Sequence, residues 1–204
     1  MEIVVLDGTH NKNGHTLDIV NNFLKGIKTN KDADIKITVY DLMKENIEFC
    51  KGCNECTKQE DKVMADCSIK DSCQKIQKHA LAADILVFAS PIYEYSVSSV
   101  MKRFLERCLN LATFSFGPAP KTLPIKGKIG VVICSSGAPF PFNHLMGITR
   151  HPKFILKFSC RLFGCSKIKY IFAGAPQNEK LKMKHNKRAF MLGKNISGKL
   201  RINK

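Results

Sequence analysis

Apolar residues along the chain fall into two alternating patterns. Short continuous runs at IVVL (3–6), IKITVY (35–40), ILVFAS (85–90), IGVVIC (129–134) and IKYIFA (168–173) have the length and β-branched content of strands. Between them, Leu17, Val20, Phe23, Leu24 and Ile27 recur at helical spacing. The same spacing returns at Ile76, His79, Ala80 and Ala83, at Met101, Phe104, Leu105, Cys108 and Leu111, and at Ile155, Phe158 and Leu162. Boundary residues agree with these limits. Thr16 or Asn13 can cap the first helix and Asp71 or Ser72 the second, Pro91 ends the central strand, Pro152 opens the last of these helices and Gly164 stops it. Three prolines (118, 120 and 124) mark residues 113–127 as a long loop.

Strands that are apolar throughout and alternate with helices predict a parallel sheet covered on both faces, because right-handed crossovers place helices on either side. The expected fold class is α/β, a three-layer doubly wound sandwich with a five-stranded parallel sheet. Ligands in such folds sit beyond the carboxyl ends of the strands, where the strand order reverses. That directs attention to 8–16, 91–97 and 135–144.

At 204 residues with 44% hydrophobic side chains, the chain can enclose one domain-sized core, which excludes a disordered or low-complexity protein. No apolar run approaches a membrane span, and the strand-like MEIVVLD at the start has no basic leader, so a soluble cytoplasmic protein is expected. Charge is divided unevenly. Residues 1–106 carry 14 Lys/Arg against 16 Asp/Glu, whereas 107–204 carry 19 against Glu179 alone. Such a half is either a solvated basic surface or the footprint of an acidic partner. Residues 1–176 form the expected domain, with a Cys-rich insertion at 50–73, and 177–204 a basic tail or helix.

Chemistry concentrates in three loops. The first, GTHNKNGHT (8–16), lacks GxGxxG, so no Rossmann dinucleotide fingerprint is present, but it feeds a helix N-terminus whose free N–H groups favour a phosphate. A capped surface turn would read the same way. GKNISGKL (193–200) imitates a P-loop and fails, since Leu200 stands where a hydroxyl must hold magnesium and no buried strand precedes it. The second loop, SPIYEYSVSSVMKRFLER (90–107), sets Tyr93 and Tyr95 after the central strand, where they either flank a flat heterocycle or are exposed turn residues. SSGAPFPF (135–142) follows the fourth strand. No HExxH, GxSxG or Cys/His pairing supports hydrolysis, and His79, on the apolar face of a helix, reads as a satisfied core residue rather than a ligand.

Five of the nine cysteines lie between Cys50 and Cys73, an odd-numbered set unlike a secreted disulfide framework. Cys108, Cys134, Cys160 and Cys165 sit in apolar surroundings as small core residues. Cys50, Cys53 and Cys56 form CxxCxxC, close enough to wrap three corners of a cubane cluster with a fourth thiolate from nearby. Structural zinc more often uses two separated knuckles, so a cluster, zinc and metal-free thiols all stay open.

The first two loops resemble the phosphate loop and the isoalloxazine loop of the flavodoxin-fold NAD(P)H-dependent FMN reductase family, G-S-P-R-x-N-G-N-T and S-P-x-Y-x-x-S-x-S. The cysteine segment between them resembles the family's iron-sulfur flavoprotein branch. The likeness covers about the first 140 residues. It implies a flavodoxin-like strand order of 2-1-3-4-5 and an oxidoreductase whose FMN phosphate rests on Thr9, Asn11, Asn13, Gly14, His15 and Thr16. Its ring would contact Pro91, Ile92, Tyr93, Glu94, Tyr95 and Ser96, bordered by Ser135, Ser136 and Gly137. His10 and His15 depart from the family's proline and second asparagine.

The resemblance implies Cys67 as fourth ligand of a [4Fe-4S] cluster beside Cys50, Cys53 and Cys56, since CSIKD resembles the family's C-V-I-x-D. The gap of ten residues from Cys56 is long, which leaves Cys73 a competitor. NAD(P)H is the implied donor, and no acid-base residue is assigned because the flavin is the catalyst. Further expectations are a small-molecule electron donor or acceptor, an acidic carrier such as a ferredoxin, and a homodimer or tetramer with 113–127 at its interface. Two rivals are a metal-free NAD(P)H-dependent FMN or quinone reductase and a basic nucleic-acid-binding module. The latter is disfavoured because the lysines are not interleaved with stacking aromatics.

Overall fold

Successive residues of the first strand are buried against opposite faces: Val4 and Leu6 join one apolar cluster, Ile3 and Val5 a second. A sheet covered on both sides accounts for this. The computed structural model describes residues 1–30, 34–59, 64–112 and 125–199. The expected interface loop, apart from its last residues, and the end of the basic tail lie outside them.

Five strands run parallel, β1 (Glu2–Asp7), β2 (Lys36–Asp41), β3 (Ile85–Tyr93), β5 (Ile125–Ser136) and β6 (Cys165–Ala173), in the order β2-β1-β3-β5-β6. Counting these five alone, this is the expected 2-1-3-4-5. A two-residue strand, β4 (Ser96–Val97), folds back antiparallel on β3. Helices α1 (His15–Ile27) and α6 (Glu179–Lys199) contribute Ile19, Phe23, Ala189 and Ile196 to one face of the sheet. Opposite, α2 (Ser72–Ala82), α3 (Ser99–Glu106) and α5 (Arg150–Leu162) contribute Ile76, Phe104 and Leu156, and α4 (Phe142–Leu145) is a single turn. Among the described residues no helix is long and apolar enough to cross a membrane.

Local expectations needed three corrections. β3 does not end at Pro91 but continues to Tyr93; β1 has left the ladder at Asp7, opposite Ala89, so the proline's missing N–H falls where that neighbour no longer pairs. The helix expected through Leu111 tightens after Glu106 into a 3₁₀ stretch, Arg107–Leu111. α1 is preceded by Gly14 and has no side-chain cap, so neither Thr16 nor Asn13 caps it. Asp71 does cap α2, accepting from the Cys73 N–H at 2.9 Å. Gly164, at φ 78°, follows the end of α5 as a left-handed terminator. His79 is satisfied by Tyr40 and Glu2, each at 2.7 Å, but is half-buried at the margin of the sheet face rather than in the core.

Two packing features hold the layers in place around the strand ends. α1 and α6 cross with their backbones touching: a Cβ on Gly26 would lie 2.1 Å from the Phe190 carbonyl oxygen, and one on Gly193 2.2 Å from that of Phe23. On the other face, Arg107 and Asp71 form an ion pair at 2.5 Å with side chains 1% and 0% exposed. Lys128, counted in the basic half, is also buried; its ammonium donates to the Ala80 and Leu81 carbonyls at the end of α2, and burial lowers its pKa to about 8.

Candidate functional site

The ends of β1, β3 and β5 converge on a cavity of about 240 Å³ at the strand-order reversal. The loop after β1 is shaped by its own side chains. Asn11 Oδ1 accepts from the Asn13 N–H at 2.9 Å, and its carbonyl accepts from Gly14 at 3.1 Å, a tight Asx-type turn that delivers the chain to α1. Lys12 fastens this turn from behind, donating to Asp7 and Asp41 at 2.8 Å each and to the Thr9 carbonyl at 3.0 Å. Lys12 is therefore committed to the scaffold. Ser98 ties the second loop to the first, donating to the Gly8 carbonyl at 2.7 Å while capping α3 through the Met101 N–H.

Thr9, Asn11, Gly14, His15 and Thr16 line the cavity from this loop, joined by His10. Thr9 is 2% exposed, yet its Oγ1 has no hydrogen-bond partner. A buried hydroxyl without a partner costs free energy unless something absent from the protein itself satisfies it. Beside it, the uncapped start of α1 leaves N–H groups and the positive end of the helix dipole facing the same region. Thr16 Oγ1 lies 2.6 Å from Ser135 Oγ, tying the first loop to the third. This donor set suits a phosphomonoester.

Pro91, Ile92 and Tyr93 line the cavity from β3, Ser135 and Ser136 from the end of β5, and Gly137 from just beyond it. Asn13, Glu94, Tyr95 and Ser96 do not: Asn13 lies in the turn, Glu94 and Tyr95 are the two-residue bend of the β3–β4 hairpin, and Ser96 begins β4. The bend holds both residues left-handed, φ 45° and 58°, without a glycine. Non-glycine residues there store strain, a common mark of ligand-binding turns. It leaves Tyr93 about half exposed in the cavity lining and Tyr95 about half exposed outside it.

Ala175 and Pro176 complete the lining and were not anticipated from the sequence. They follow β6, and Gly174 brings them in: a Cβ there would lie 2.6 Å from the Phe140 nitrogen. A second missed residue is His185 on α6, whose Nδ1 lies 2.9 Å from His15 Nε2. Burial first, then His185 and Lys182, lowers the His15 pKa against an opposing pull from Asp18; burial, Arg188 and Lys184 lower that of His185. No sequence signal connects two residues 170 apart on different helices.

Cys50, Cys53, Cys56 and Cys67 line a second, smaller cavity of about 30 Å³ with Ser68 and Arg107. Arg107 Nη2 lies 3.4 Å from Cys67 Sγ, and Ser68 lies 3.4 Å from Cys53 Sγ. Cys73 is outside this cavity, fully buried in the first turn of α2, where burial pushes its thiol up to about 12. Among the described residues, no three His, Cys, Asp or Glu side chains stand at metal-binding geometry. The remaining four cysteines are buried, as expected.

The profile of the NADPH-dependent FMN reductase family matches residues 1–149, so α5, β6 and α6 lie beyond it. An iron-sulfur flavoprotein of Methanocaldococcus jannaschii is 26% identical over 65% of this chain and 57% of its own length. One from Clostridioides difficile is 32% identical over 52% of this chain and 45% of its own. The chain thus spans about half the length of these relatives. In fold, it superposes on the FMN-dependent NADH-azoreductase of Bacillus anthracis, solved with FMN, with a TM-score of 0.74 at 12% identity, covering 97% of this chain and 100% of the other. With nearly three quarters of its length matched and the β1 and β3 loops in order around one cavity, the chain belongs to the NADPH-dependent FMN reductase family.

Proposed function

We propose that this protein is an FMN-dependent oxidoreductase that takes electrons from NAD(P)H or a reduced carrier and holds the FMN phosphate at the start of α1. The unpartnered, buried Thr9 hydroxyl carries this reading, because it sits in the cavity beside an uncapped helix end. FMN, when bound, supplies hydride and single-electron chemistry at its ring. The chain's own part is to bind and orient. Thr9, Thr16 and the first N–H groups of α1 meet the phosphate, Pro91–Tyr93 and Ser135–Gly137 border the ring, and the Glu94–Tyr95 bend shapes the open edge where a small electron donor or acceptor enters. Asn13, Glu94, Tyr95 and Ser96 support the loops that do this.

Thr9→Val separates a ligand role from a packing role. Removing a buried hydroxyl that has no partner leaves the apo protein as stable or slightly more so, while FMN affinity falls about tenfold, the equivalent of one hydrogen bond to a charged group. Fluorescence titration with FMN and denaturant unfolding read the two effects. Unchanged affinity, or marked destabilisation of the apo form, would remove the phosphate assignment.

The cysteine cavity supports a [4Fe-4S] cluster held by Cys50, Cys53, Cys56 and Cys67, with Cys67 favoured over Cys73 because it shares the cavity with the other three. Protein isolated without oxygen should carry about four irons and four acid-labile sulfides per chain, lost in Cys56→Ser and kept in Cys73→Ser. Zinc in place of iron, or thiols without metal, would leave a metal-free FMN or quinone reductase.

An acidic electron carrier such as a ferredoxin fits the α5 face. Arg150, Lys153, Lys157 and Arg161 are exposed there with no acidic neighbour on the helix. Phe158 and Leu162 line an apolar cavity shared with Cys50, which puts this face next to the cysteine loop. Transfer rates that fall with ionic strength are the signature of such docking. Exposed Phe140, Phe142, Leu145 and Met146 near the site support a homodimer or tetramer, which sedimentation velocity measures.

A further inference from the structure

We infer that His185 of α6 is a positioning residue for His15, and that the hydrogen-bonded pair takes up one proton when a phosphomonoester enters the cavity. The inference rests on the proposed cofactor site and adds a residue from beyond the segment matched to the family. His15 is the first residue of α1 and lines the cavity. Its Nε2 is engaged by His185 Nδ1 at 2.9 Å, with ring centroids 5.1 Å apart, while its Nδ1 is buried and has no partner.

Tautomer logic limits what the pair can do. In the neutral pair one proton lies between the two rings, so one of the facing nitrogens donates and the other accepts. Adding a single proton gives His15 two N–H donors. Nε2–H keeps the bond to His185, and Nδ1, otherwise idle, becomes a charged donor for an anion at the helix start. A second proton would set two cations 5.1 Å apart and break the Nε2 to Nδ1 bond, so uptake stops at one.

Without an anion the charge is resisted on balance. His15 and His185 are half-buried, and Lys182, Lys184 and Arg188 of α6 add positive potential. Asp18 of α1 opposes them but is itself paired to Lys182 at 3.1 Å. A phosphate dianion reverses the balance, because opposite charge favours the protonated ring. The free pair therefore titrates below its ordinary 6.5 and the occupied pair above that, and between the two values each unit of acidification tightens binding by up to about tenfold.

Isothermal calorimetry of FMN and of riboflavin at pH 7.5, in two phosphate-free buffers of different ionisation enthalpy, tests this. At that pH the ligand's phosphate is already dianionic, so protons consumed go to the protein. A net uptake of protons, not exceeding one, is expected for FMN and none for riboflavin. His185→Asn and His15→Gln should each abolish the uptake and weaken FMN about fivefold to tenfold. FMN that binds with equal heats in both buffers, or a His185→Asn variant with unchanged uptake, overturns the inference and leaves the cofactor reading standing. FMN that does not bind at all overturns both.

Discussion

Asp71→Asn is expected to cost the fold about 3–5 kcal/mol, lowering the melting temperature by roughly 10 °C, although it removes no atom from the core. Cys73 N–H donates to one carboxylate oxygen at 2.9 Å and Glu48 N–H to the other at 2.8 Å, so asparagine deletes the charge and also replaces one of these two acceptors with an NH2 group. That strands the Arg107 guanidinium, 3% exposed as a residue. Burial alone would push the Asp71 carboxyl up, but Arg107 and the two backbone donors outweigh it and hold it below the ordinary carboxylate range. Arg107 also donates to the Glu48 carbonyl at 3.0 Å and touches Cys67, so the pair fixes both ends of the cysteine segment to the 3₁₀ stretch after α3. Denaturant unfolding of the variant measures the effect. A loss under about 1 kcal/mol would mean that water reaches Arg107, as at a surface pair.

The second large effect is expected where α1 and α6 cross. Gly26→Ala or Gly193→Ala would normally gain up to about 1 kcal/mol of helix propensity. Here each should lose about 2–3 kcal/mol, because the new methyl overlaps backbone that cannot rotate away. Gly198→Ala on the same helix is the control, since a Cβ there meets nothing within 4 Å. Thermal unfolding should show the first two variants destabilised and the third unchanged or improved. If all three behave alike, the two backbones are not in contact at the crossing. Moving α6 also moves His185, so the crossing variants should lose proton uptake as well.

What could be read from the sequence was local or periodic. Residues 3–6, 85–90 and 129–134 announce strands because both of their faces are buried, which requires unbroken apolar runs. The turn proposed to hold phosphate is legible because one short segment supplies both the Asx turn and the helix start. The rest depends on contacts distant in sequence. β4 is only Ser96–Val97 and exists because β3 runs on past a proline that usually ends a strand. Ala175 and Pro176 reach the cavity through a close backbone approach at Gly174. The His15–His185 and Asp71–Arg107 pairs join segments 170 and 36 residues apart, and Lys128 hides a cation that composition counts as surface charge.

Strand order gives the uneven charge a spatial meaning. β2 and β1, from the nearly balanced half, occupy one edge of the sheet, while β5 and β6, with α5 over them, occupy the other. With the lysine-rich α6 packed on α1, positive charge faces the β5–β6 edge and one helical layer, while the β2 edge stays near balance. An approaching polyanion exerts a torque before it exerts a contact, turning the β6 edge forward and trailing the β2 edge behind, so that collisions arrive already sorted by orientation.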